Sequence, residues 1–264
     1  MKTFLADIQN EPAPIPLDIN RVGIKQLKLP LQVLQKDGGL QHTIADVDLS
    51  VDLPKEVKGT HMSRLLESLL EKTLLLSLQK VKELLFTLRS KLKAQVARAS
   101  FNFPFFLDRQ APWSEQSFLM DFRVQITGIL EKNDLCFVLE VRVPVMTVCP
   151  CSLAISEQGA HSQRAIIKLT AKIQKMVWIE DLINIGLQAG SVPVYPLLKR
   201  GDEKKVVESA FANPMFVEDV VRKAAFLLDK VENILGYRVE VESFESIHNH
   251  SAYAIISKPI KEQI

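Results

Sequence analysis

In His42-Thr-Ile-Ala-Asp46-Val47-Asp48-Leu49-Ser50-Val51-Asp52-Leu53, the apolar residues Val47, Leu49, Val51 and Leu53 alternate with Asp46, Asp48, Ser50 and Asp52. A period of two puts apolar side chains on one face and polar ones on the other, which is the pattern of a half-buried strand. Upstream, Leu27, Leu29, Leu31 and Val33 alternate with Lys28, Pro30 and Gln32. Pro30 has no N–H to donate, so this strand is expected at a sheet edge or at a bulge. The turn Gly38-Gly39 joins the two strands as a hairpin. Residues 1–20, with Pro12, Pro14 and Pro16, read as an extended arm.

Downstream, Leu65, Leu66, Leu69 and Leu70, then Val81, Leu84, Leu85 and Leu88, recur at helical spacing and predict two one-sided helices. Residues 99–106 and 117–129 return to strand patterning. The order then repeats. Residues 135–145 and 164–173 are strands, 178–187 a helix, and 214–235 a long helix. Asn213 stands at the N-cap of that long helix, Pro214 at its first position and Gly236 beyond its end. Residues 238–243 and 252–257 close the chain as strands. Each half reads strand-strand-helix-helix-strand-strand, an α+β architecture of antiparallel sheets with helices on one face. The expected organisation is an arm over 1–20, a first unit over 21–130 and a second over 131–264.

The 264 residues are 47% apolar and 24% charged, which excludes disorder over most of the chain. A net charge of +2 argues against nucleic acid as a partner. Cys136, Cys149 and Cys151 are too few for a disulfide framework and suit a reducing compartment. The N-terminus reaches Asp7 without an apolar core, and no uncharged apolar run approaches the roughly 18 residues of a membrane span. A cytoplasmic protein with no membrane association is expected.

Five segments carry chemistry. Cys149-Pro-Cys151-Ser152 is followed by Gly159-Ala-His161-Ser-Gln-Arg164. Thiolate and imidazole are ligands for zinc-like ions, and Pro150 should end a strand and expose a thiol. Both cysteines could equally be small buried groups. Glu245-Ser-Ile-His248-Asn-His250 offers imidazoles that titrate near neutrality and suit proton transfer, or else a solvated loop. Lys199-Arg200-Gly-Asp-Glu203-Lys204 reads as a charged loop, or as the source of an oxygen ligand in Glu203. One Cys, one His and one Glu leave a coordination position open, as a catalytic rather than structural ion requires. Glu218 suits a helix dipole, or the paired N–H groups of a guanine or pterin edge. In Lys58-Gly-Thr60-His61-Met-Ser63-Arg64, Thr60 or Ser63 could cap a helix, or the segment could hold a phosphate. No P-loop or dinucleotide-binding glycine motif is present.

Together these segments resemble the type IB GTP cyclohydrolases, bacterial enzymes of the first step of folate biosynthesis. The resemblance runs from Ala6-Asp-Ile-Gln9 through Gly59-Thr-His-Met-Ser-Arg64, Cys149-Pro-Cys-Ser152, Gly159-Ala-His-Ser-Gln-Arg164, Leu197-Leu-Lys-Arg200 and Asp202-Glu-Lys204 to Glu245-Ser-Ile-His-Asn-His-Ser-Ala252. Leu153, Gln158 and Gly201 depart from the family pattern, where lysine, an aromatic residue and proline are commoner. The resemblance implies a tunnelling fold of two tandem units and a homotetramer with sites at subunit interfaces. It implies conversion of GTP and water to 7,8-dihydroneopterin triphosphate and formate with a divalent ion: zinc, manganese or iron. It assigns Cys149, rather than Cys151, with His161 and Glu203 to the metal. Cys149, His248 and His250 fall to the reaction centre, and Glu218 to the purine. Lys58, His61, Arg64, Arg164, Lys199 and Arg200 are the candidates for binding the rest of the substrate, the triphosphate above all. The rivals are a GTP cyclohydrolase with a cyclic phosphate product, the nitrile reductase of queuosine synthesis, and a non-catalytic metal-binding oligomeric scaffold.

Overall fold

The computed structural model describes residues 8–70 and 75–259. Residues 1–7 of the expected arm therefore lie outside the described residues. The rest of that arm is not uniformly extended, because Ile8–Asn10 forms a 3-10 turn.

The described residues fall into two compact units, one made of 8–34, 38–70, 75–103 and 126–137 and the other of 35–37, 104–125 and 138–259. The first opens with the hairpin β1 (Ile19–Leu34) and β2 (Leu40–Leu53), in which Leu27 faces Val47 and Leu31 faces Thr43. The register shifts between Ile24 and Leu27, where Gln26 takes φ 58° and its N–H donates to Asp48 Oδ1 at 2.8 Å. One irregularity is therefore at Gln26 and another lies between Ile19 and Val22, while Pro30 stays in register opposite Ile44.

Helix α1 (Met62–Leu70), the short strand β3 (Leu75–Leu76) and α2 (Leu78–Leu92) follow. The Ser77 side chain accepts from the Lys80 N–H and caps α2, which ends at Lys93 in a left-handed conformation. Strand β4 (Val96–Gln110) pairs with β2, setting Phe101 against Val47 and Ala99 against Leu49. The alternation read from the sequence is the burial pattern: Val47, Leu49, Val51, Phe101 and Phe103 are buried together with Leu65, Leu69, Val81, Leu84, Leu85 and Leu88 of the helices. Each fully buried side chain of this size contributes about 1.5–3 kcal/mol.

Strands β5 (Ser117–Glu131) and β6 (Asp134–Val148), like β4, contribute residues to both units. The second unit continues with α3 (Pro150–Ile155), β7 (Ser162–Ile173), α4 (Ile179–Ala189), β8 (Val192–Pro193), α5 (Arg200–Ala212), α6 (Val217–Leu228), β9 (Ile234–Ser243) and β10 (Ala252–Lys258). β9 pairs antiparallel with β7 and with β10, and β8 pairs with β6. Leu182 and Ile183 of α4 and Val220, Val221, Ala224 and Leu228 of α6 are buried, as are Val143, Ile167, Leu169, Val239 and Val241 of the strands.

Two expectations are corrected here. The second half has four helices rather than two, because α3 and α5 interrupt the expected order. The long helix over 214–235 is shorter: Asn213 ends α5, and α6 runs only from Val217 to Leu228. Instead of capping α6, the Asn213 amide donates to the carbonyls of Gly190 and Ser191 at 3.3 and 3.0 Å. Gly236 lies within β9.

Candidate functional site

Strand β6 ends at Val148, and Pro150 occupies the first turn of α3, where its missing N–H costs nothing. Cys149 is left at the N-cap with a free, half-buried thiol whose Sγ accepts from the Ser152 N–H at 3.4 Å. Its own N–H donates to the His161 carbonyl at 3.2 Å, and the His161 N–H donates to Ser152 Oγ at 3.4 Å. These bonds close the 149–161 excursion on itself and set Cys149 beside His161. Cys151 is exposed.

The His161 imidazole is held by a polar chain. Its Nδ1 lies 2.8 Å from Gln163 Oε1 and 3.8 Å from Glu245 Oε2. Gln163 Nε2 donates to Glu245 Oε1 at 3.4 Å and to Thr147 Oγ1 at 3.2 Å. Thr147 reaches the buried Ser243 hydroxyl at 3.4 Å. The Phe244 N–H donates to the Arg164 carbonyl at 2.9 Å, which fastens the start of the 244–251 segment to β7. Farther along that segment, the His248 and His250 rings stack at 5.1 Å with an interplanar angle of 16°, both exposed. The Arg164 side chain is exposed as well.

The charged run 199–204 is the start of α5, not a loop. Its anchor is Asp202, which is fully buried. One carboxylate oxygen accepts from the N–H groups of Trp113 and Ser114, at 2.9 and 2.8 Å. The other accepts from Ser114 Oγ and the Lys199 N–H, at 2.8 and 2.9 Å. Burial alone would raise this carboxyl, but the bonds from Ser114, Lys199 and Trp113 outweigh it and hold the pKa at about 2. Lys199, Arg200 and Glu203 are exposed around this anchor. A Cβ at Gly201 would stand 2.5 Å from the Trp113 ring, so glycine is what lets the indole lie there. Pro112, Trp113, Gly201, Lys204, Lys205 and Glu208 line an open cleft of about 400 Å³.

The Met215 N–H donates to the Val148 carbonyl at 3.0 Å, bringing the approach to α6 against the end of β6. Glu218 lies exposed in the first turn of α6.

Lys58, His61 and Arg64 belong to the first unit. The N–H groups of Lys58 and Gly59 donate to the carbonyls of Glu11 and Gln9, and Gln9 Nε2 donates to the Thr60 carbonyl at 3.2 Å. Lys58 Nζ pairs with Glu11 at 3.3 Å. Helix α1 begins at Met62, so Ser63 lies inside its first turn. Thr60 Oγ1 is buried without a hydrogen-bond partner, so Thr60 caps nothing.

Among the described residues, no three His, Cys, Asp or Glu side chains gather as a metal-holding group. Of the trio Cys149, His161 and Glu203, the first two are joined by a main-chain bond, and Glu203 is exposed in the first turn of α5. The pair has the chemistry of two metal donors: a free thiol, and an imidazole whose Nδ1 is engaged by Gln163 and Glu245 while the other ring nitrogen is left for a ligand. Gln163, Glu245, Thr147 and Asp202 were not singled out from sequence. Gln163 carried a signal, since on a strand it shares a face with His161 two residues away.

A family model described as type I GTP cyclohydrolase folE2 matches residues 5–254. A GTP cyclohydrolase FolE2 of Nitratidesulfovibrio vulgaris strain Hildenborough is 49% identical over 256 residues, covering 97% of each chain. One from Maridesulfovibrio salexigens is 49% identical over 255 residues, covering 97% of this chain and 100% of its own. Among solved structures, the uricase from Arthrobacter globiformis superposes with a TM-score of 0.54 at 7% identity, covering 92% of this chain and 94% of its own. That likeness concerns the mixed α+β fold alone.

Proposed function

The chain belongs to the type I GTP cyclohydrolase folE2 family, and from that premise we propose that it converts GTP and water to 7,8-dihydroneopterin triphosphate and formate, the entry step of folate biosynthesis. The observation that carries this reading is the pairing of Cys149 with His161 by a main-chain bond, in a chain matched to the family from residue 5 to 254.

The Cys149 thiol and the free ring nitrogen of His161 would hold a divalent ion (zinc, manganese or iron), with Glu203 as the third protein donor. When bound, such an ion supplies Lewis acidity for hydrolytic attack on the guanine ring at neutral pH. Gln163 and Glu245 keep the His161 ring oriented. His248 and His250 carry protons as the ring opens and C8 departs as formate. Glu218 accepts from the paired N–H groups of the guanine edge and so positions the ring. Lys58, His61, Arg64, Arg164, Lys199 and Arg200 bind the triphosphate as fixed cations and donors.

With α3, α5 and the two-residue strands β3 and β8 set aside, the order of two strands, two helices and two strands recurs about residue 130, which supports two tandem units of a tunnelling fold. The exposed stations of Glu203, Glu218, His248 and His250 suit a homotetramer in which neighbouring subunits complete each site. No helix among the described residues is long and apolar enough to cross a membrane, and the three free cysteines suit a cytoplasmic setting.

The test is formate release from GTP by the full-length protein after chelation, with zinc, manganese or iron added back and the pterin product identified. Metal-restored formate together with dihydroneopterin triphosphate is expected. A metal-loaded, folded protein that releases no formate overturns the reading, and a cyclic phosphate product transfers it to the archaeal-type reaction.

A further inference from the structure

The geometry points to Gln163 as a positioning residue that fixes which nitrogen of His161 carries the proton, leaving Nε2 as the lone pair offered to the site. This rests on the reading above that His161 serves the reaction centre.

A neutral imidazole has one N–H and one acceptor nitrogen, and only the acceptor nitrogen can take a metal or a proton. The hydrogen-bond partner of Nδ1 decides between the two forms. That partner is the Gln163 side-chain amide at 2.8 Å, and an amide can present either its carbonyl or its NH2. Its other end faces the Glu245 carboxylate at 3.4 Å and Thr147 Oγ1 at 3.2 Å. An ionised carboxylate only accepts, so the end of Gln163 facing Glu245 is the NH2. The end facing His161 is then the carbonyl, which also only accepts. Nδ1 must therefore hold the hydrogen, and Nε2 is free of it. The second oxygen of Glu245, 3.8 Å from Nδ1, favours the same assignment.

The two sides of this network are fixed by the sheet. Gln163 enters β7 one residue after Ser162 starts the strand, and Ala165 faces Ser243 across the β7–β9 ladder. That register sets Glu245 two residues beyond β9 at the level of Gln163. Thr147, 1% exposed near the end of β6, holds the amide from the third side. A side chain with three partners in place has little rotameric freedom, so the imidazole orientation is set before any ligand arrives. Gln163 also joins the Cys149–His161 pair to the segment that carries His248 and His250.

The experiment uses metal-free, full-length protein with nitrogen-15-labelled histidine, read by long-range proton–nitrogen spectra at about pH 8.5, above the ordinary imidazole range. The His161 signals are assigned by their loss in His161→Gln. In the native protein His161 is expected with a protonated Nδ1 and an unprotonated Nε2. Gln163→Glu, whose carboxylate still accepts, keeps that form. Gln163→Met, combined with Glu245→Ala so that no acceptor substitutes, shifts His161 toward Nε2 protonation. Metal affinity, read by competition with a chelator, should fall on the order of 10- to 100-fold in the Gln163→Met protein. A native His161 protonated on Nε2 overturns the inference without need of any variant, as does a tautomer unmoved in the double variant. Formate release from GTP with such an unmoved tautomer defeats this inference alone. Tautomer control by Gln163 in a protein that releases no formate upholds it and defeats the functional reading alone.

Discussion

The N–H of Cys149 donates to the carbonyl oxygen of His161 across 3.2 Å. The residues that carry the thiol and the imidazole are thus joined through main chain, between the end of β6 and the approach to β7. Chemistry and architecture can therefore be separated at this position, because a substitution at residue 149 leaves the bond that makes the pair.

Cys149 has a second role as the N-cap of α3. Cys149→Ser replaces a weak sulfur acceptor with a good hydroxyl one, so its thermal stability should stay within about 0.5 kcal/mol of the native protein. Its formate release should fall by at least about 100-fold, a loss typical of a group that acts in the transition state. Cys149→Ala should lose the activity and in addition no more than about 0.5 kcal/mol, the low end for a lost cap, because the cap is a weak sulfur acceptor at 3.4 Å. Unfolding curves and formate assays on the two variants check this. Native turnover by Cys149→Ser contradicts the role given to the thiol.

Asp202 should leave a mark on acid stability. Its folded pKa, about 2, lies below the ordinary 3.8, so the unfolded chain binds its proton more readily than the native one. Stability from this group is present above about pH 4 and is lost as the pH falls through about 2. Asp202→Asn turns an NH2 toward the Ser114 or Lys199 donors, where only an acceptor fits. The variant should unfold at a lower temperature at neutral pH and show a shallower loss of stability between about pH 4 and pH 2. Denaturant titrations at a series of pH values measure both, and an unchanged acid slope contradicts the assignment.

The middle of the first unit was legible because its burial and its sequence share one period: Val47, Leu49 and Val51 are all buried, and the polar Asp48 and Ser50 between them are only partly so. Helix α5 was not, since among its residues only Asp202 and Ala210 are buried and no apolar stripe announces it. Asn213-Pro214 carries a true helix-start signature. It was overridden by tertiary partners, the carbonyls of Gly190 and Ser191, which no local pattern reveals. The site divides the same way. Cys149 and His161 announce themselves by residue type, whereas the roles of Gln163 and Glu245 depend on the register between β7 and β9, a long-range fact.

Glu218 separates substrate binding from helix stabilisation. It is exposed in the first turn of α6, where a carboxylate interacts favourably with the helix dipole by about 0.3–1 kcal/mol. Glu218→Gln should cost no more than that in unfolding experiments. If the carboxylate receives the guanine N–H pair, the same change should raise the KM for GTP by about 10-fold or more, the worth of one charge-assisted hydrogen bond. Steady-state kinetics decide it, and an unaltered KM reduces Glu218 to a helix-end charge.

Gly186 tests how α4 seats on the strand beneath it. A Cβ there would lie 2.6 Å from Val143 Cγ2 and 2.7 Å from its Cβ, and Val143 is fully buried in β6. In a free helix, Gly→Ala would stabilise by about 1 kcal/mol. Here the added methyl meets the stem of a branched side chain with no rotamer in which to retreat, so Gly186→Ala should instead destabilise by about 1–3 kcal/mol. Val143→Ala alone should also destabilise, by leaving a cavity. Val143→Ala removes the two methyls at 2.6 and 3.0 Å but keeps the Cβ at 2.7 Å, so relief is partial, and the double variant should be more stable than the sum of the two losses by about 0.5–1.5 kcal/mol. Denaturant unfolding of the four proteins measures that coupling. Simple additivity would mean that α4 and β6 do not touch at this pair, and that the spacing between α4 and β6 is set elsewhere.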